Sequence, residues 1–179
     1  MGRFLYPNEY YVSTYEIDFE HLYRLGYRGI LFDIDNTLVP HDAMSDERSR
    51  ALLKKLREMG FSVCFVSNND EPRVANFVKE LHVDGLPDPQ YVFKAAKPRA
   101  KGYLEGIERM KLRHEQVIFV GDQLLTDVWG ANNARIPAIL VKPVAKETKL
   151  QIKLKRILEK PVIWRYLKKH PLKELRHQS

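Results

Sequence analysis

The sequence predicts an α/β fold, a Rossmann-like core with a central parallel sheet and helices on both faces. Two patterns predict it. Short apolar runs alternate five times with stretches whose apolar residues recur at helical spacing. The runs lack the polar alternation of a half-exposed strand, so they suit strands buried on both faces. A third pattern is positional: each run ends in polar residues, at the rim where doubly wound sheets bind ligands.

The elements follow in order. Residues 1–28 are an aromatic-rich lead-in (Phe4, Tyr6, Tyr10, Tyr11, Tyr15, Phe19, Tyr23, Tyr27) that should pack on the core as a strap, with a short helix over Asp18–Leu25. Gly29–Phe32 is the first strand, and it runs into Asp33. Ser45–Met59 is a helix with Ser45 as N-cap, an apolar stripe of Ala51, Leu52, Leu56 and Met59, and Gly60 as its stop. Phe61–Val66 is the second strand, followed by a helix from Asp70 to Leu81 with Pro72 in its first turn. Tyr91–Phe93 is the third strand and Pro98–Lys111 the next helix. Val117–Val120, a helix over Leu124–Asn133 and a strand over Ile136–Val141 complete a core domain spanning 29–145. Residues 146–179 form a basic helical tail.

Composition narrows the function. The chain has 179 residues, 44% of them apolar, which suits one sizeable domain. No stretch approaches a membrane span, and the N-terminus lacks the pattern of a secretory signal. The single cysteine, Cys64, excludes an internal disulfide or a cysteine zinc cluster; mid-strand, it reads as core packing. The six histidines show no ligand spacing, and only His41, in the short flap 40–44, suggests a substrate contact. A reduced, cytoplasmic protein is expected. The net charge of +7 is unevenly placed: residues 142–179 hold 12 Lys/Arg against 3 Asp/Glu. Anionic partners therefore concern the tail first.

The strand ends carry the chemistry. Asp33 and Asp35, separated by one residue, should face one pocket, and Asp122 arrives from a neighbouring strand. Crowded carboxylates repel, a divalent cation relieves them, and an oxygen-only set points to Mg²⁺. Asp33, the backbone carbonyl of Asp35 and Asp122 are the expected ligands; Asp127 is either a supporting partner or an extra ligand. Lys97, hydroxyls at Thr37 and Ser67, and amides near Asn68 suit a phosphoryl group. Asp33 would attack phosphorus, and Asp35 would serve as acid and then base.

Asp-x-Asp-x-Thr (33–37), Ser67, Lys97 and Gly-Asp-x-x-x-x-Asp (121–127) together resemble the motifs of the haloacid dehalogenase (HAD) superfamily, in its phosphatase branch. The tyrosine-rich lead-in, Asp-Ile-Asp-Asn-Thr-Leu, Val-Ser-Asn-Asn and Gly-Asp-Gln-Leu-Leu-Thr-Asp-Val resemble its YqeG-type subfamily of IIIA phosphatases. That subfamily is similar to mitochondrial phosphatases of phosphatidylglycerophosphate. The resemblance implies a Mg²⁺-dependent phosphatase with an aspartyl-phosphate intermediate. No cap domain fits, because one helix and one strand fill the 34 positions from Asp33 to Ser67 and again the 30 from Ser67 to Lys97.

An uncapped site suits a phosphate on something large. In the tail, Leu150, Leu154, Ile157 and Leu158 recur at helical spacing among lysines, and Pro161 should break the helix before Trp164. This stripe either meets an anionic membrane through residues 146–169, at the inner face, or packs on the core. Phosphatidylglycerophosphate is the leading substrate and a small soluble phosphoester the alternative. An RNA- or ribosome-associated binding protein is the reading from another class, disfavoured because no RNA-reading motif is present.

Overall fold

The computed structural model describes residues 3–146 and 149–170. Its core is a six-stranded parallel sheet in the order β1-β6-β5-β2-β3-β4. The strands are β1 (Glu9–Tyr11), β2 (Gly29–Phe32), β3 (Ser62–Val66), β4 (Gln90–Val92), β5 (Val117–Gly121) and β6 (Ala138–Val141). Helices α1 (Phe19–Arg24), α2 (Glu47–Glu58), α3 (Glu71–Lys79), α4 (Lys101–Met110), α5 (Trp129–Asn133) and α6 (Leu150–Leu167) cover it. The α/β class is as predicted, and no separate cap domain is present among the described residues.

Pleat alternation divides the core. Ile30, Phe32, Val63, Phe65, Ile118 and Val120 pack on one face with Leu53 and Leu56 of α2 and Phe77 of α3. Leu31, Cys64, Val66, Val117 and Phe119 face the other side, against Tyr103 and Ile107 of α4 and Ala131 of α5. Both faces are therefore apolar, which explains the unbroken apolar runs. Burial pushes the Cys64 thiol up to about 12, consistent with a packing residue.

The sixth strand comes from the lead-in. β1 pairs in parallel with β6, Tyr10 opposite Leu140, at one edge of the sheet. Three residues are too few to give a periodic signal, and pairing with β6 is what makes them a strand. The lead-in then reaches the loop after β2. Thr14 donates its hydroxyl to the Thr37 carbonyl and Tyr15 to that of Leu38, each at 2.7 Å.

Two helices differ from expectation. In α2 the N-cap is Asp46, whose carboxylate accepts from the Ser49 amide at 2.7 Å. The stripe includes buried Leu53, while Ala51 is exposed. In the tail, α6 runs through Pro161 without ending. Both halves are tied to the core: Glu159 accepts from the Leu125 amide at 3.0 Å, and Tyr166 is buried. Docking outweighs the missing amide donor.

The docking face of α6 is not the stripe that the sequence suggests. Arg156, Glu159, Val162, Ile163 and Tyr166 turn inward, whereas Leu150, Leu154, Ile157, Leu158 and Trp164 are all more than half exposed. Positions 171–179 of the tail, with His177, lie outside the described residues. No helix among the described residues is long and apolar enough to cross a membrane.

Candidate active site

The sheet order reverses between β2 and β5, which lie side by side with Phe32 opposite Val120. Such a switch point opens a crevice at the carboxyl ends of the strands. Asp33 leaves β2 there, its amide donating to the Val120 carbonyl at 2.9 Å. Asp122 leaves β5 beside it. A cavity of about 180 Å³ is lined by Asp33, Asp35, Ser67, Asn68, Lys97 and Gln123 among others.

Lys97 organises the floor. Its ammonium donates to Asp33 Oδ1 at 2.6 Å and to Asp127 Oδ1 at 2.8 Å, and the side chain is 4% exposed. Burial alone would lower the Lys97 pKa, but the Asp127 and Asp33 carboxylates outweigh it and hold the ammonium charged. Asn68 fixes the lysine from behind. Its Oδ1 accepts from the Lys97 amide at 2.7 Å and its Nδ2 donates to the Lys97 carbonyl at 3.3 Å. Ser67 lines the cavity, its hydroxyl oxygen accepting from the Asn69 amide at 3.1 Å.

Carboxylate oxygens of Asp33, Asp122 and Asp127 lie within 4.8 Å of one another, and all three residues are buried. Burial, only partly offset by Lys97, pushes Asp33 up to about 7. Asp122 is also raised by burial, against the opposing pull of Arg156. This crowding of buried, oxygen-only donors fits a hard divalent cation. Asp127 is held in place by more than Lys97: its Oδ2 accepts from the amides of Asp122 and Gln123 at 3.1 and 3.0 Å. A π-helical turn over Leu124–Val128 carries it back to the strand end.

Asp35 lies on the other wall. Its carboxylate accepts from the Asp42 amide and Arg73, each at 3.0 Å, and from Asn69 at 2.5 Å. His41 Nδ1 is 3.8 Å away, so the flap does border the cavity. Asp35 thus contributes its carboxylate to a cluster with His41 and Asp42 rather than to the three-aspartate group. Thr37 is fully buried behind the site, its hydroxyl 3.4 Å from Asp122 Oδ1, and it does not line the cavity.

Two cations at the site, Arg73 and Arg156, had no signal in the sequence. Arg73 and Asn69 hold Asp35, and Arg156 of α6 bonds both the carbonyl and the carboxylate of Asp122. Arg73 and Arg156 are cations on helices that read as solvated, and only the tertiary fold turns them inward.

A family model for haloacid dehalogenase-like hydrolases matches residues 42–135. Over 164 residues the chain is 35% identical to the probable phosphatase YqeG of Bacillus subtilis (strain 168), covering 91% of this chain and 92% of that protein. The chain belongs to the haloacid dehalogenase-like hydrolase family. Among solved structures of similar fold is a putative haloacid dehalogenase-like hydrolase from Bacteroides fragilis, with a TM-score of 0.52 and 18% identity over 70% of this chain and 91% of that one. An uncharacterized protein from Listeria monocytogenes serotype 4b also has a TM-score of 0.52, with 15% identity over 68% and 84% of the two chains. The haloacid dehalogenase-like fold thus carries the cavity at its switch point.

Proposed function

We propose that the protein is a Mg²⁺-dependent phosphomonoester hydrolase working through an aspartyl phosphate, with phosphatidylglycerophosphate as its substrate. The observation that carries the reading is the buried Lys97 ammonium between Asp33 and Asp127, with Asp122 beside them and a cavity above. Asp33, Asp122, Asp127 and the backbone of Asp35 would hold Mg²⁺. When bound, the ion neutralises the crowded carboxylates and polarises a phosphoryl oxygen.

Asp33 is fixed by Lys97 with one carboxylate oxygen left to attack phosphorus. The bond from phosphorus to the ester oxygen breaks, and Asp35 gives that oxygen a proton. Asp35 then takes a proton from water as the water oxygen attacks the aspartyl phosphate. Inorganic phosphate leaves and Asp33 is restored. Ser67 and neighbouring amides hold the phosphoryl oxygens, while Arg73 and Asn69 keep Asp35 aimed.

The lipid assignment rests on the resemblance to the YqeG-type phosphatases, on an uncapped cavity, and on α6. Beside the cavity this helix exposes Leu154, Ile157, Leu158 and Trp164 among Lys153, Lys155, Lys160 and Arg165. Exposed apolar residues rimmed by cations suit an anionic bilayer surface. Each cation near such a surface contributes about 1 kcal/mol.

The test is phosphate release from phosphatidylglycerophosphate in mixed micelles, against a panel of soluble phosphomonoesters. Asp33→Asn should abolish turnover, and EDTA should do the same. A strong preference for the lipid supports the assignment. Turnover of soluble esters alone would keep the mechanism and remove the lipid. Turnover surviving in Asp33→Asn would remove the mechanism.

A further inference from the structure

Helix α6 does more than cover one face of the sheet. Arg156 pairs with Asp122, and the Glu159 carboxylate accepts the Leu125 amide. These contacts hold the first turns of the helix against the strand ends, so that Ile152 and Lys155 line the same cavity as Asp33, Ser67 and Lys97. A segment outside the alternating β/α core therefore supplies part of the cavity wall.

The cations around the cavity are not equivalent. Lys97 is engaged by Asp33 and Asp127, Arg73 by Asp35, and Arg156 by Asp122. Each neutralises a carboxylate of the site itself. Lys155 lines the cavity without an ion-pair partner among the described residues. It is exposed at the mouth, on a helix whose position is already fixed by its neighbours. An ammonium on a flexible stem, with no carboxylate to satisfy, suits recognition of an anion from the ligand. Ile152, one turn earlier on the same wall, offers an apolar surface to the carbons between two charged groups.

We propose that Lys155 is a specificity-determining residue that binds a second anionic group of the substrate, a phosphodiester or second phosphate joined by a short linker to the phosphomonoester held at Asp33. This deepens the phosphatase reading and rests on it. The chemistry is common to a lipid headgroup and to its soluble, deacylated counterpart, so both belong in the test.

Three probes distinguish the cases: glycerol phosphate, deacylated phosphatidylglycerophosphate, and the intact lipid in mixed micelles. The first carries one anionic group and the other two carry two. In Lys155→Gln, the ratio of kcat/KM for a two-anion probe to that for glycerol phosphate should fall about tenfold, the scale of one lost charge-assisted contact. The fall should lie in KM, appear with both two-anion probes, and be restored in Lys155→Arg. An unchanged ratio overturns the subsite. A fall confined to the micellar lipid also overturns it, since the lysine would then act on the bilayer surface. Calorimetry of the deacylated probe binding to Asp33→Asn and to Asp33→Asn/Lys155→Gln judges the subsite without turnover. About tenfold weaker binding in the double variant supports it, and equal binding overturns it. Should the wild type release phosphate from none of the probes, the phosphatidylglycerophosphate assignment fails, while the calorimetric result still decides the subsite.

Discussion

Gly121 ends β5, and a Cβ built there would lie 2.6 Å from Asp127 Cγ. The strand end and the Asp127 carboxylate therefore share space that only a residue without a side chain leaves open. That explains the Gly-Asp spacing of 121–127 physically: the glycine lets the second aspartate fold back onto the amides of Asp122 and Gln123 and onto Lys97. Gly121→Ala should push Asp127 off these partners at a cost of about 1–3 kcal/mol. Mg²⁺ affinity and phosphate release should both fall at least about tenfold, with far-UV circular dichroism unchanged. Full activity in this variant would show that Asp127 is dispensable. At this scale Asp33, Ser67, Lys97, Asp122 and Asp127 are legible in the sequence because each directly follows or closely trails an apolar run. Arg73 and Arg156 are not, because nothing in helical spacing tells a solvated cation from one turned toward a buried carboxylate.

Helix α6 shows how element-level reasoning fails when polar groups do the docking. Its inward face includes Arg156 and Glu159, and its exposed positions include Leu150, Leu158 and Trp164. An amphipathic reading assigns the apolar stripe to the core and the charges to water. Here the carboxylate at Asp122 and the amide at Leu125 recruit the charges instead. β1 escaped detection for a related reason, since three residues gain strand geometry only by pairing with β6. β2, β3, β5 and β6 are legible because their apolar runs record burial on both faces, whereas β4, at the other edge of the sheet, is a short stretch with Gln90 exposed and only Val92 buried. A pair of variants tests the orientation of α6. Tyr166→Ala empties a buried aromatic position and should cost on the order of 3 kcal/mol, with earlier tryptic cleavage within α6. Trp164→Ala, at a position 59% exposed, should change stability by no more than about 0.5 kcal/mol. It should nevertheless weaken flotation with anionic vesicles. Equal destabilisation by the two substitutions would mean that α6 docks through its other face.

At the scale of the whole molecule, the site strains the fold that supports it. Asp33 has a pKa of about 7 against an ordinary value of 3.8, with burial as the main cause. In the metal-free protein the folded state therefore holds a proton that the unfolded chain has already released. Stability from this group is present below the unfolded value and declines as pH rises through the window between the two values. Asp122 shifts in the same direction for the same reason. A divalent cation reverses the balance, because it binds the ionised carboxylates and must displace those protons. The rise in Tm on saturation with Mg²⁺ should therefore be small near pH 5 and grow steadily toward about pH 7.5. Thermal unfolding with and without Mg²⁺ across this range measures it, with Asp33→Asn as the control in which the growth should be reduced. A Mg²⁺-induced shift that is flat with pH, or larger at pH 5, would mean that the ion does not bind among these buried aspartates. A shift that grows with pH as expected would make the metal a structural component as well as a catalytic one, since the ionised carboxylates that the proposed chemistry needs are those that the bare fold holds least well.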